Sequence, residues 1–239
     1  MKKWQLLFTC EHAVNTIPKA FLPDILPYYK AILSTHQALD IGALEIAQYL
    51  SQYLRAPLFK ANISRLLIDM NRSLYHPTCF SFISKKLSSA KKRTLVTHYY
   101  LPYRAQITQS IYQLIQAHTP VLHLSIHSFT PKLNGLKRQN DLGILGDFTR
   151  HFEQQFAYQW QEQLQQNTRL ITRLNYPYNG YDDGLTTTLR TLFSEQDYIG
   201  IELEINQALL SSKKACHLIA QDLILPLAQT IYLNLADRC

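Results

Sequence analysis

The sequence predicts an α/β fold: one domain over residues 1–239, with a central, mostly parallel, mixed sheet and helices on both faces. Three observations carry this. Short apolar runs alternate with helix-periodic segments along the chain. The run Val121, Leu122, Leu124 and Ile126 suits a strand covered on both sides. No internal repeat or linker interrupts the 239 residues, and an apolar fraction of 46% is ample for a core.

The elements follow in order. Residues 4–10 read as the first strand, ending at Glu11-His12. Pro23 and Pro27 limit any helix over 19–33 to a short or broken one. Asp40 stands at the N-cap of a helix whose apolar stripe runs Ile41, Leu44, Ile46, Ala47, Leu50 and Leu54. Residues 58–64 form a strand, and 65–72 an apolar run with Asp69, Asn71 and Arg72 at its end. Residues 74–100 read as an excursion with a short helix. A helix over Tyr103–His118 has Ile107, Ile111, Leu114 and Ile115 on one face and leads into the strand that stops at His127. Pro131 and Asn134-Gly135 mark a loop. A strand at 142–146, a helix at 148–167 and a strand at 169–174 come next. Residues 175–184 are the most turn-dense piece of the chain. Then follow a short helix at 186–193, a strand at 198–206 and a closing helix from Lys213 to Leu235, which Pro226 is expected to kink.

Composition narrows the class. Ten prolines and seven glycines leave little room for a long disordered region. No stretch of about 18 apolar residues suits a membrane span. The start, Met-Lys-Lys-Trp, resembles a signal peptide, but its apolar run ends too soon, at Glu11. Cys10, Cys79, Cys216 and Cys239 show no CxxC pairing, which suits reduced thiols and a cytoplasmic protein. The net charge of +7 is scattered except for Lys85-Lys86 and Lys91-Lys92-Arg93. That cluster reads as solvated surface, with an anionic partner as the other reading.

Several predicted strand ends carry polar residues that a core has no use for, and parallel strands bring them to one edge of the sheet. His12 and His127 each end an apolar run and could be hydrogen-bonded core residues or two nitrogen donors to a metal. A third donor would come from Asp40 or Glu11. His123 shares the face of His127 but lies deeper, as packing. Glu202 and Glu204, two apart on a strand, point to one face. One of them could be the general base on a metal-activated water. They could also be exposed acids on an edge strand, but the fully apolar opposite face, Ile199 to Ile205, argues against an edge. Arg65 and Arg72 suit a substrate carboxylate. Asn179, Gly180 and Tyr181 suit a lid or a substrate contact.

These residues sit in segments that together resemble the N-formylglutamate amidohydrolase family. The segments are Cys10-Glu-His-Ala-Val-Asn-Thr-Ile-Pro18, Leu39-Asp-Ile-Gly-Ala43, Ser64-Arg-Leu-Leu-Ile-Asp-Met-Asn-Arg-Ser73, Ser125-Ile-His-Ser-Phe-Thr-Pro131, Asn175-Tyr-Pro-Tyr-Asn-Gly180 and Gly200-Ile-Glu-Leu-Glu-Ile-Asn-Gln207. They come in the family's order and span residues 10–207. The resemblance extends to zinc carboxypeptidases, whose Asp-Leu-Asn-Arg element Asp69-Met-Asn-Arg72 is similar to. It extends also to zinc amidases, whose Ser-Ile-His is matched by Ser125-Ile-His127. The carboxypeptidase pattern has a glutamate three residues after its first histidine; here that position is Asn15.

The resemblance implies a zinc-carboxypeptidase-like (phosphorylase/hydrolase-like) fold and a zinc-dependent hydrolase of linear amide bonds. It implies His12 and His127 as zinc ligands with Asp40 as the third, Glu204 as general base, and Asn71 with Arg72 as a carboxylate clamp. The expected substrate is a small acidic N-acyl amino acid, N-formyl-L-glutamate first, cleaved to formate and glutamate as in histidine degradation. No membrane or nucleic-acid partner is expected. The alternatives are a zinc amidase or carboxypeptidase on cell-wall peptides, and a non-catalytic anion- or nucleic-acid-binding protein.

Overall fold

The alternation of side chains along three neighbouring strands positions everything that follows. In the computed structural model, which describes residues 4–236, the strands are Gln5–Cys10 (β1), Leu58–Lys60 (β2), Val121–Phe129 (β3), Lys132–Leu133 (β4), Leu136–Lys137 (β5), Leu142–Leu145 (β6), Thr172–Leu174 (β7) and Tyr198–Asn206 (β8). Six of them form one sheet in the order β2-β1-β3-β8-β6-β7, and β4-β5 is a separate hairpin. β2, β1, β3 and β8 are mutually parallel, while β6 pairs antiparallel with β8 and parallel with β7. The sheet is therefore mixed and mostly parallel.

The described residues form seven α-helices: Leu22–Tyr29 (α1), Ala43–Leu54 (α2), Ser89–Leu95 (α3), Leu101–Gln116 (α4), His151–Asn167 (α5), Leu185–Leu192 (α6) and Lys213–Ala236 (α7). One face packs on α2, α5 and α7 through Phe8, Leu124, Ile126, Ile201 and Leu203 against Ile46, Trp160 and Leu223. Full burial of each such side chain contributes about 1.5–3 kcal/mol. The other face is covered by α4, α6 and the 61–70 segment, through Leu7, Val121 and Tyr198 against Ile107, Leu189 and Leu67.

That second face changes character along its length. With a side-chain period of two, Leu7-Thr9 on β1, Val121-His123-Ser125-His127 on β3 and Tyr198-Gly200-Glu202-Glu204 on β8 share it. It is apolar where the strands enter and polar where they leave. His123 is packed midway, bonded to Thr9 Oγ1 and to the Tyr198 hydroxyl at 2.7 Å each. Burial pushes its imidazole down to about 4, so it is neutral at pH 7.

Several sequence expectations need correction. Asp40 is not an N-cap: α2 begins at Ala43, and Gly42, in the left-handed region at φ 80°, precedes it. A Cβ at Gly42 would lie 2.8 Å from Leu210 Cβ, so glycine is required there. Ile41 therefore lies outside the helical stripe. The 65–72 run is a series of turns and not a strand, and β2 stops at Lys60. β3 continues past His127 to Phe129. Cys10, Cys79 and Cys216 are buried free thiols; Cys239 and Met-Lys-Lys lie outside the described residues. Among the described residues no helix is long and apolar enough to cross a membrane.

Candidate active site

The polar end of that face becomes a cavity of about 300 Å³. His12 is the second residue past β1, and the Asp40 N–H donates to the His12 carbonyl at 2.9 Å, which joins the two segments. The Asp40 side chain, freed from any capping role, turns inward. Its Oδ2 lies 3.2 Å from His12 Nδ1 and 2.9 Å from His127 Nδ1, and accepts from the Ser128 N–H at 3.3 Å.

The far nitrogens of both rings are held as well. Asp69 Oδ1 is 2.7 Å from His12 Nε2, and Glu11 Oε2 is 3.2 Å from His127 Nε2. Glu11 thus sits on the outer edge of the His127 ring. It accepts from Ser125 Oγ at 2.6 Å and the Tyr103 hydroxyl at 3.0 Å. Burial would raise its carboxyl, but the bonds from His127 and Ser125 prevail and hold it at about 2.

One donor atom from each of His12, Asp40 and His127 lies within 4.8 Å of the others. The structure does not bring Glu11 into that group. Two imidazoles and a carboxylate suit zinc, and a carboxylate on each ring's other nitrogen is the usual way a metal-bound histidine is oriented. The residues therefore fit a divalent metal. Charge in the cluster is tightly balanced. Burial lowers both imidazoles, yet Asp69 and Asp40 around His12, and Asp40 and Glu11 around His127, raise them above the usual range. Burial likewise opposes ionisation of Asp40 and Asp69, but the histidines, helped at Asp69 by Arg65, hold both carboxyls well below the ordinary value.

Arg65 lies beside the group and is 27% exposed. It donates to Asp69 Oδ2 at 2.9 Å and to Asp40 Oδ1 at 3.3 Å, and its Nη1 lies 3.2 Å from His12 Nδ1. Glu204 stands in register with His127, and Glu202 with Ser125, on a strand in the middle of the sheet. The edge-strand alternative is thereby excluded. Thr186 Oγ1 donates to Glu202 at 2.6 Å. Glu204 Oε2 is buried with no hydrogen-bond partner among the described residues. Burial, with Asp40 and Glu202 adding to it against His127, pushes Glu204 up to about 7.

Asn71 Oδ1 accepts from the Leu185 N–H at 2.7 Å, which ties it to the start of α6. Its Nδ2 lies 3.4 Å from His127 Nε2 and 3.5 Å from Glu202 Oε2. Arg72 lines the cavity while its Nη1 donates to the carbonyls of Asn71 (2.9 Å) and Asp183 (2.5 Å).

The 175–184 loop leaves β7, which runs against β1, β3 and β8, and still reaches the cavity. Asn175, in the left-handed region at φ 46°, organises it. Its Oδ1 accepts from the Gly146 and Gly180 N–H groups at 3.0 and 3.1 Å. A Cβ at Gly180 would lie 2.1 Å from Gly146 N. Gly180→Ala is therefore expected to cost about 1–3 kcal/mol and to displace the loop, measured as a lower denaturation midpoint with a raised KM. Asn179 lines the cavity. Tyr181 does not: it is 60% exposed, and Tyr178 takes the wall position instead.

Some cavity features were not singled out from sequence. Asp182 and Asp183 line the wall, and Tyr103 and Thr186 support Glu11 and Glu202, while Asp69, named from the 65–72 run without a role of its own, backs His12. The acids stood within recognisable turn-rich or polar segments. Tyr103 and Thr186 lie on helices and had no local signal.

The fold is shared with known proteins. The gene product Atu2144 from Agrobacterium tumefaciens has a similar structure, with a TM-score of 0.85 and 28% identity, over 97% of this chain and 92% of that one. An N-formylglutamate amidohydrolase from Ralstonia eutropha JMP134 has a TM-score of 0.68 at 17% identity, over 97% and 94%, a likeness of fold. No curated protein matches. The family model for N-formylglutamate amidohydrolase matches residues 4–211, from the first strand to just before α7; the chain belongs to that family.

Proposed function

We propose that this chain is a metal-dependent hydrolase, organised as one domain, that cleaves the amide of a small N-acyl amino acid. N-formyl-L-glutamate is the first substrate to try and zinc the first metal. The observation that carries the reading is the buried His12–Asp40–His127 group sharing one cavity with Glu204, a buried carboxylate pushed up to about 7.

In this reading His12, Asp40 and His127 hold the metal, which when bound supplies Lewis acidity to the amide carbonyl and lowers the pKa of water. Glu204 takes a proton from the attacking water and returns it to the leaving nitrogen, a task suited to a group that titrates near the working pH. Arg65, beside Asp40 and His12, favours the negative charge that develops on the carbonyl oxygen. Arg72, with the Asn71 amide, holds the substrate carboxylate and so fixes the scissile bond. Glu11 and Asp69 keep the two rings in place. Glu202, fixed by Thr186, walls the site beside Glu204.

Formate release from N-formyl-L-glutamate by the zinc-loaded protein tests the activity; its absence across N-formyl, N-acetyl and N-succinyl amino acids would overturn the reading. Zinc analysis tests the ligands. His127→Ala and Asp40→Ala are expected to lose bound zinc, whereas Glu11→Gln should keep it with affinity about 10–100-fold weaker. Stoichiometric zinc in His127→Ala would remove that residue from the site, and loss of zinc in Glu11→Gln with retention in Asp40→Ala would exchange the two carboxylates.

A further inference from the structure

A second hollow of about 480 Å³ adjoins the catalytic cavity and shares two of its wall residues, Arg65 and Tyr178. Phe80 and Phe82 also line it, and so does Lys85. Lys92 stands over Phe80, with its Nζ 5.9 Å from the ring centroid. Its neighbour Lys91 is engaged differently, 2.5 Å from Asp24 Oδ2. The one carboxylate in its wall among the described residues, Asp69, is taken up by His12 and Arg65. The hollow thus offers an aromatic bed with cations at its rim. Part of the basic 85–93 segment, which has no role in the catalytic cavity, provides those cations.

We propose that this hollow is the subsite for an extended acyl arm: an aromatic or long apolar body ending in a carboxylate. The inference rests on the amide-hydrolase reading and specifies its substrate class. Direction follows from the walls. Asn71 and Arg72, the proposed carboxylate clamp, line the catalytic cavity but not the hollow, whereas Arg65 borders both. An arm entering the hollow therefore leaves the reacting centre on the side of Arg65 and the carbonyl oxygen, away from the amino-acid half. A formyl group is one carbon and reaches none of Phe80, Phe82 or Lys85. A ring held among aromatic side chains gains burial and stacking, and a carboxylate at its end meets cations.

The test compares N-formyl-, N-benzoyl- and N-(4-carboxybenzoyl)-L-glutamate on the zinc-loaded enzyme. The carboxybenzoyl compound is expected to exceed the formyl compound by about tenfold or more in kcat/KM, mainly through KM. Lys85→Glu and Phe82→Ala, both at exposed side chains, should raise its KM about fivefold and leave the formyl compound unchanged. Calorimetric binding of the same compounds to Glu204→Gln, alone and combined with Lys85→Glu, reads the subsite without turnover. The same ranking there, with no hydrolysis by the parent enzyme, would retain the subsite and remove the amide-hydrolase reading. Hydrolysis of the formyl compound with no preference in binding, or equal effects of Lys85→Glu on every compound, would remove the subsite and leave the hydrolase reading standing.

Discussion

Glu204→Gln should lower kcat by about 10²–10⁴-fold, the usual worth of a positioned general acid–base group, with KM little changed. The same substitution should make the protein more stable at alkaline pH. The sign follows from the carboxyl's position. Burial first, then Asp40 and Glu202, raise it from 4.5 to about 7 in the folded chain. Between those values the native state binds more protons than the unfolded state, so stability falls as pH rises through that window. Above about pH 7 the buried carboxylate costs the folded protein up to about 3 kcal/mol. Glutamine keeps the shape and carries no charge. Thermal denaturation of the metal-free protein should thus show Glu204→Gln melting up to roughly 10 °C higher at pH 8 and about level with the parent near pH 4. A bound divalent cation favours the carboxylate, so adding zinc should narrow the difference. Unchanged turnover would remove Glu204 from the reaction, and a lower melting point at pH 8 would show that its negative charge supports the fold.

The second large effect lies behind the catalytic cavity. Arg190, on α6, is buried and ion-paired through Nε with Glu153 of α5 at 2.9 Å. Its Nη1 donates to the Gly180 carbonyl at 2.5 Å and its Nη2 to the Gly200 carbonyl at 2.7 Å. One side chain therefore joins a helix, the central strand β8 and the loop that walls the cavity. Glu153 is fully buried, and burial alone raises its carboxyl against the pull of Arg190. Arg190→Met leaves that buried carboxylate with only Arg150, 3.2 Å away, as its cation, and leaves the two carbonyls without their donor. The expected loss is about 3–5 kcal/mol, read as a lower urea midpoint, with weaker substrate binding because Gly180 loses its anchor. The double variant Glu153→Leu/Arg190→Met should recover much of the stability but not the binding. If the single variant were as stable as the parent, the pair would not be holding these elements together.

Both residues show how unevenly the sequence displays its information. Glu202 and Glu204 were legible because a strand has a period of two and its opposite face, Ile199 to Ile205, is unbroken. His12 and His127 were legible because each closes an apolar run. Those are local signals, and the sheet places them as expected. Arg190 and Glu153 each read as an ordinary helix residue. Their pairing spans 37 residues and exists only when α5 and α6 pack on the same strand.

Asp40 shows the reverse error. An Asp before an apolar stripe is a good N-cap by local rules, yet a glycine in the left-handed region opens the helix and the carboxylate turns to the histidines. The choice between Tyr178 and Tyr181 depended on a loop fold set by Asn175, which local turn composition does not encode. The amino-acid order by itself determined the α/β class, the polar face of the central strands and the family motifs, because periodicity and short-range chemistry are written residue by residue. Tertiary structure decided which carboxylate lies between the two imidazoles, which carboxylates face their other nitrogens, and how Lys85 comes to line the adjoining hollow. Those outcomes depend on distances between segments far apart in the chain, and only packing sets such distances.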